Sequence, residues 1–256
     1  MNKLALLLAI VVTQFNLVAA DFAPTPRSTV VAEHLQTISV TIRAENGWSA
    51  GEGSGVIFTR KNANGDLVNF VWTAAHVVDN LRTERRVIVK GSPRTLVEFK
   101  DAKIIKVIRQ NGRSVGRLEL DAEVIKWSDA DDGHDLALLR VRKLNFITDS
   151  AKFYLDDKTP PLGTDLWHVG SLLGQLGANS MTDGIYSQHG RIIPELNKLI
   201  FDQTTVAAFP GSSGGGVFLA AVSLNGGGGE CARLEAAAFA RVDLAQYTFR
   251  GVDQGA

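Results

Sequence analysis

The stretch Phe209-Pro210-Gly211-Ser212-Ser213-Gly214-Gly215-Gly216-Val217 sets two serines among glycines, after a proline and before an apolar run. Glycine lets a backbone turn tightly and bring N–H groups against a bound carbonyl with no Cβ in the way. Read chemically, Ser213 is a candidate nucleophile, with the N–H groups of Gly211 and Ser213 aimed at an oxyanion. Read structurally, the same residues make a flexible Gly/Ser loop or linker. A serine hydroxyl is a poor nucleophile at neutral pH. It needs a base within hydrogen-bond reach and a third group to hold that base in the right tautomer, so the rest of the chain decides between the readings.

Both partners occur upstream. Val71-Trp72-Thr73-Ala74-Ala75-His76 presents a histidine just past an apolar strand-like run, and His134-Asp135-Leu136-Ala137-Leu138-Leu139 presents a carboxylate just before another. Of the five histidines, His34, His134, His168 and His189 read as structural, while His76 has the placement of a general base. Asp129, Asp131 and Asp132 lie in a polar turn and read as solvated. Asp135 abuts the apolar run, where a partly buried carboxylate needs a partner. The order along the chain is His76, Asp135, Ser213.

Thr73-Ala74-Ala75-His76, Asp135-Leu136-Ala137-Leu138-Leu139 and Pro210-Gly211-Ser212-Ser213-Gly214-Gly215 resemble the three motifs of chymotrypsin-fold (trypsin-like) serine proteases. They are most similar to those of the bacterial, disulfide-free, HtrA-type branch. Gly53-Ser54-Gly55-Val56-Ile57, Val169-Gly170-Ser171, Thr182-Asp183-Gly184-Ile185 and Gln203-Thr204-Thr205 add to the resemblance, which runs from about Ile38 to Phe218. It implies two six-stranded-type β-barrels with the catalytic groups between them, a His76, Asp135, Ser213 triad, and an oxyanion hole from Gly211 and Ser213. No PDZ domain of the kind that many HtrA-type proteins carry is expected in this chain.

Periodicity by itself indicates an all-β protein. Ile38, Val40 and Ile42 alternate with Ser39, Thr41 and Arg43, the pattern of a half-buried strand. Further strands are expected at 55–59, 69–73, 86–90, 96–99, 103–109, 118–127 and 136–142, with turns at Asn64-Gly65 and Asn111-Gly112. After Thr159-Pro160-Pro161 a second set follows at 166–169, 184–188, 198–202, 215–220 and 238–242. The expected organisation is a signal peptide at 1–20, an N-terminal arm at 21–36, a first barrel at 37–158 and a second barrel with a C-terminal segment at 159–256. Pro24 and Pro26 suggest that the arm is extended.

Other chemistries fit less well. Gly211-x-Ser213-x-Gly215 also matches a nucleophile elbow, but that fold places its histidine after the serine, and no histidine follows His189. Gly51, Gly53 and Gly55 have no βαβ unit around them and read as a turn leading into a strand rather than a dinucleotide loop. No metal-ligand spacing is present and no cofactor is implied. Lys plus Arg equals Asp plus Glu at 27 each, which gives no basic field to hold nucleic acid.

Lys3, the apolar run from Leu4 to Val12 and Val18-Ala19-Ala20 read as a secretory signal, so the mature chain is expected to begin near Asp21 and to be exported, periplasmic or secreted. No other segment is apolar and long enough to insert in a membrane. Cys231 is the single cysteine, so the expected core is held without internal disulfides.

Three departures from the resemblance carry expectations. Where animal relatives have an acid before the serine, Ser212 stands here, which implies no activation by cleavage beyond removal of the signal. Six residues before the candidate nucleophile, where a trypsin-like pocket carries its aspartate, Ala207 stands instead, which implies apolar P1 side chains of small or medium size. Residues 219–256, with Gly226 to Gly229 and an alanine-rich run, do not follow the family pattern. A bulky residue at Gly211 is expected to abolish turnover with folding nearly intact. The reading is a serine endopeptidase acting on proteins or peptides through an acyl-enzyme, of undetermined oligomeric state. The alternative is a catalytically silent binding module on the same fold.

Overall fold

Alternating apolar side chains build the first sheet. The computed structural model describes residues 26–129, 134–153, 159–192, 200–219 and 250–251. Strand β1 (Ser39–Glu45) pairs antiparallel with β2 (Ala50–Lys61), and β2 with β3 (Leu67–Thr73). A single helical turn, α2 (Ala75–Val78), follows β3. Next come the hairpin β4 (Arg82–Val89) and β5 (Ser92–Phe99), and then β6 (Ala102–Gln110), β7 (Arg113–Ser128) and β8 (Leu136–Val141). Because β6 also pairs with β1, β7 with β6, and β8 with both β7 and β3, the pairings of β1, β2, β3, β8, β7 and β6 close on themselves. Val40, Ile42, Ile57, Val71, Ile104, Val124 and Leu139 fill this ring, all 2% exposed or less. Each such side chain contributes about 1.5–3 kcal/mol when fully buried.

The second sheet has the order β11 (Ile200–Thr204), β10 (Gly177–Ile192), β9 (Asp165–Leu172), β12 (Gly216–Leu219). Four strands of it lie among the described residues, and the expected strand at 238–242 lies outside them. A two-residue strand, β13 (Arg250–Gly251), instead pairs with the edge of β7 in the first sheet. Among the described residues of the second sheet, Leu166, Tyr186 and Leu219 cluster, with Val206 and Val217 packed on them.

Two compact units divide at Glu33/His34, and both sheets belong to the second. The expected extended arm is corrected, because residues Pro26–Thr37 form a helix, α1. Proline at a helix's first position removes only an N–H that has no intrahelical acceptor, so Pro26 opens this helix rather than preventing it. Ser39 and Thr41 depart from the half-buried pattern as well. They are 1% and 0% exposed, Thr41 because its hydroxyl meets Ser171 of β9 at 2.5 Å. The face of β1 that alternation assigns to solvent is covered by the second sheet. Gly51, Gly53 and Gly55 lie within β2, not in a turn before it. Among the described residues no helix is long and apolar enough to cross a membrane.

The C-terminus of α1 is closed by Lys106 of β6, whose Nζ donates to the carbonyls of Gln36 at 2.6 Å, Thr37 at 2.5 Å and Ser39 at 3.2 Å. Burial, with Arg109 adding and Asp149 opposing, pushes the Lys106 ammonium down to about 7. An unfolded lysine titrates at about 10.4, so between the two values the unfolded chain binds the extra proton and stability rises with pH. The wild type should therefore gain stability over Lys106→Met as pH climbs from about 7 toward about 10, as read from urea unfolding.

Candidate active site

The register of β3 against β8 brings the histidine and the carboxylate together. Thr73 lies opposite Ala137, so the residues that follow Thr73 meet those that precede Ala137. In α2, Ala75, Val77 and Val78 are buried and anchor the turn, while the His76 side chain stays half exposed. Asp135 adopts a left-handed backbone, φ +53°, which aspartate tolerates better than most residues. Its backbone carbonyl accepts from Ala75 N–H at 3.1 Å, its Oδ1 from His76 N–H at 2.9 Å, and its Oδ2 meets His76 Nδ1 at 2.7 Å. An ionised carboxylate only accepts, so Nδ1 carries the proton of the neutral ring and Nε2 keeps its lone pair for another partner.

Arg82 reinforces this corner. Its guanidinium lies 4.4 Å from the Trp127 ring centroid and contacts Asp79 at 3.2 Å, Glu84, and Asp129 at 3.5 Å. Asp79 follows α2 directly, and the Asp129 carbonyl accepts from Asp135 N–H at 3.3 Å, so one arginine ties together the two segments that hold the pair. Asp129, expected to be solvated, is half buried in this ion pair, and Asp131 and Asp132 lie outside the described residues.

The serine loop enters from the second sheet. Gly216 of β12 pairs with Val169 of β9, which sets residues 211–215 beside 170–174. Gly211 has φ +92°, and a Cβ there would lie 2.3 Å from the Ser171 carbonyl oxygen and 2.7 Å from Gly174 N. Gly214 has φ +81°, and a Cβ there would lie 2.3 Å from Thr73 Oγ1 and 2.8 Å from Ala74 N. The loop thus rests on the residues that lead into His76. The expectation that a bulky Gly211 variant folds normally needs correction, because the obstructing atoms are backbone and cannot swing aside. Ser212 is 9% exposed, and its Oγ accepts from Phe209 N–H at 2.9 Å, an internal bond at the position where relatives carry an acid.

Ser213 itself is half buried, and no hydrogen bond joins its Oγ to the His76 ring among the described residues. Such contacts are often long without substrate and tighten on binding. Ala207 is exposed, and its carbonyl accepts from Thr182 Oγ1 at 2.9 Å. His34 sits 3.4 Å from Asp149, and the His189 ring lies beside Tyr186. His168 lies beneath the loop, with Nδ1 3.0 Å from the Gly216 carbonyl, and burial lowers its pKa despite that bond. Among the described residues no three His, Cys, Asp or Glu side chains converge to hold a metal.

Four residues to which the sequence reading gave no individual role shape this site: Ser54, Thr73, Ser171 and Leu173. Leu173 N–H donates to the Pro210 carbonyl at 2.7 Å, and Ser54 bonds the loop directly, with its N–H 2.7 Å from the Ser213 carbonyl oxygen. The stretches Gly53-Ser54-Gly55 and Val169-Gly170-Ser171 were the available signal, since both belong to the resemblance.

This all-β fold, with a histidine and aspartate pair beside one sheet and a glycine-rich serine loop on the other, is of the chymotrypsin-like class. The family model described as the trypsin-like peptidase domain matches residues 53–226, and the chain belongs to that family. Among solved structures, Deg5 is similar at 19% identity and TM-score 0.52, over 75% of this chain and 79% of that one. The serine endoprotease from Yersinia pestis is similar at 21% identity and TM-score 0.50, over 77% and 54%. The HtrA-type protease AlgW with tripeptide is similar at 20% identity and TM-score 0.52, over 76% and 51%. At these identities the likeness shows the fold, and this chain spans about half the length of the latter two. No curated protein matches in sequence.

The Asp135 hydrogen bond raises the His76 pKa above 6.5, with the charges of Asp135 and Asp79 adding and burial opposing. Proton NMR of the His76 ring should therefore give a midpoint above 6.5, and Asp135→Asn should move that midpoint down.

Proposed function

We propose that this chain is a catalytically active endopeptidase, exported after removal of residues 1–20, in which Ser213, His76 and Asp135 act together on peptide bonds. Ser213 Oγ attacks the scissile carbonyl carbon as its proton passes to His76 Nε2. Asp135 holds the Nδ1–H and stabilises the imidazolium that forms. The carbonyl oxygen becomes an oxyanion held by the N–H groups of Gly211 and Ser213. His76 then returns its proton to the leaving amine as the carbon–nitrogen bond breaks, leaving an acyl ester on Ser213. Water, deprotonated by His76, cleaves the ester and regenerates the hydroxyl.

The observation that carries this reading is the His76–Asp135 pair, fixed at 2.7 Å and by the His76 N–H bond at 2.9 Å, beside a loop docked on Ser54 and Thr73. A ring held in one tautomer, with Nε2 making no hydrogen bond among the described residues, is poised to accept a proton. His76 must be neutral to do so, and its pKa is raised, so activity falls as pH drops through a midpoint above 6.5. The peptidase family supports proteins or peptides as substrates. Ala207 offers no charge to an Arg or Lys side chain, so the P1 preference is small or medium and apolar.

The mature chain should be labelled by a fluorophosphonate probe, and Ser213→Ala should not. A folded wild type that takes no label would favour the silent binding module. In a peptide library, cleavage should follow apolar residues, and cleavage mainly after Arg or Lys would overturn the assignment of Ala207.

A further inference from the structure

Ser54 of β2 is fully buried, and every polar group it has is bonded. Its N–H donates to the Ser213 carbonyl at 2.7 Å, and its hydroxyl donates to the Gly211 carbonyl at 2.6 Å. The same hydroxyl accepts from Ser171 N–H at 2.7 Å, and the Ser54 carbonyl accepts from Thr73 Oγ1 at 2.8 Å. One side chain of the first sheet therefore holds the middle of the serine loop and strand β9 of the second sheet at once.

The consequence follows from peptide geometry. In a trans peptide the carbonyl and N–H point in opposite directions. The Pro210 carbonyl is held by Leu173 N–H at 2.7 Å and the Ser212 carbonyl by Gly215 N–H at 2.8 Å. The N–H groups across those two peptides, of Gly211 and Ser213, point away from these anchors, and neither donates to a backbone carbonyl among the described residues. The peptide between them, Gly211 to Ser212, adjoins both and is held at two ends: its N–H donates to the Phe209 carbonyl within the loop at 2.9 Å, which leaves its carbonyl end to be fixed from outside the loop. Its carbonyl is the one that the Ser54 hydroxyl holds.

We infer that Ser54 is a positioning residue for the oxyanion hole. Its hydroxyl holds the Gly211 carbonyl against β2, so that the Gly211 and Ser213 N–H groups stay aimed at the reacting carbonyl. The inference rests on the proposed function. It assigns Ser54 no contact with substrate and no proton transfer.

The test compares the mature wild type with Ser54→Ala and Ser54→Thr, each assayed below its own melting temperature. In Ser54→Ala, kcat should fall roughly tenfold to a hundredfold, less than the 10²–10³ lost when an oxyanion donor is deleted, with KM changed less than about twofold, as for an interaction made only in the transition state. Affinity for a peptide boronic acid, whose tetrahedral adduct on Ser213 puts an oxygen in the same place, should fall by the same factor. Ser54→Thr keeps the hydroxyl and should recover most of the loss, and the His76 titration midpoint should be the same in all three. A folded Ser54→Ala with wild-type kcat and boronate affinity would overturn the inference, as would a loss confined to melting temperature or KM. Wild type that is labelled by fluorophosphonate beside an unimpaired Ser54→Ala sinks this inference alone. A folded wild type that takes no label sinks the proposed function and this inference with it.

Discussion

The site depends on a requirement of buried backbone: a carbonyl taken out of water must find a donor. Where the serine loop meets β2, the Gly211 and Ser213 carbonyls face the first sheet, and Ser54 supplies both donors. A buried acceptor left without a partner costs about 1–3 kcal/mol, comparable to burying one aliphatic side chain, so the loop adopts the one arrangement in which both are satisfied. Thr73, Thr41 and Ser171 extend the same polar seam. Small hydroxyl side chains suit it, because each can donate and accept while letting backbones approach closely. Gly214 comes so near Thr73 and Ala74 that no side chain would fit between them.

A different constraint sets the histidine and aspartate pair. The register of β3 on β8 fixes where each residue leaves the sheet, and the buried Ala75, Val77 and Val78 fix which way α2 faces. Three hydrogen bonds then join the Asp135 residue to Ala75 and His76. The left-handed backbone of Asp135 turns its carboxylate toward the ring as the chain enters β8. Arg82 neutralises the acids that would otherwise crowd this corner and links them to Trp127. The pair is therefore rigid on the first sheet, whereas the serine arrives on a loop of the second.

That asymmetry ties function to docking. The first sheet closes around an apolar core, and among the described residues Leu166, Tyr186 and Leu219 cluster in the second. The faces of β1 and β2 that meet β9 and the serine loop carry the hydrogen bonds of Thr41 and Ser54 beside buried Val56, which lies against Gly216 with Phe218. Loosening this seam would leave the His76–Asp135 pair intact and displace Ser213 with its flanking N–H groups. Interactions across the seam thus set where Ser213 stands relative to His76 and Asp135 more directly than those inside either sheet.

The sequence by itself determined the all-β class, most of the strands and the three candidate residues of the site. Those signals are local: a period of two, a turn dipeptide, a histidine or carboxylate at the edge of an apolar run. Residues 26–32 defeated that logic, since prolines that argue against a helix interior are compatible with a helix start, and α1 runs from Pro26 to Thr37. Alternation in β1 also misassigned Ser39 and Thr41 to solvent, because it reports two faces without saying what covers each. Only the tertiary structure decided that Ser54 holds Gly211, 157 residues away, and Ser171, 117 residues away. A hydrogen bond between such distant groups leaves no periodicity behind. A serine between two glycines in a strand looks the same whether its hydroxyl faces water or holds the loop that carries Ser213, and the difference arises when the second sheet closes over it.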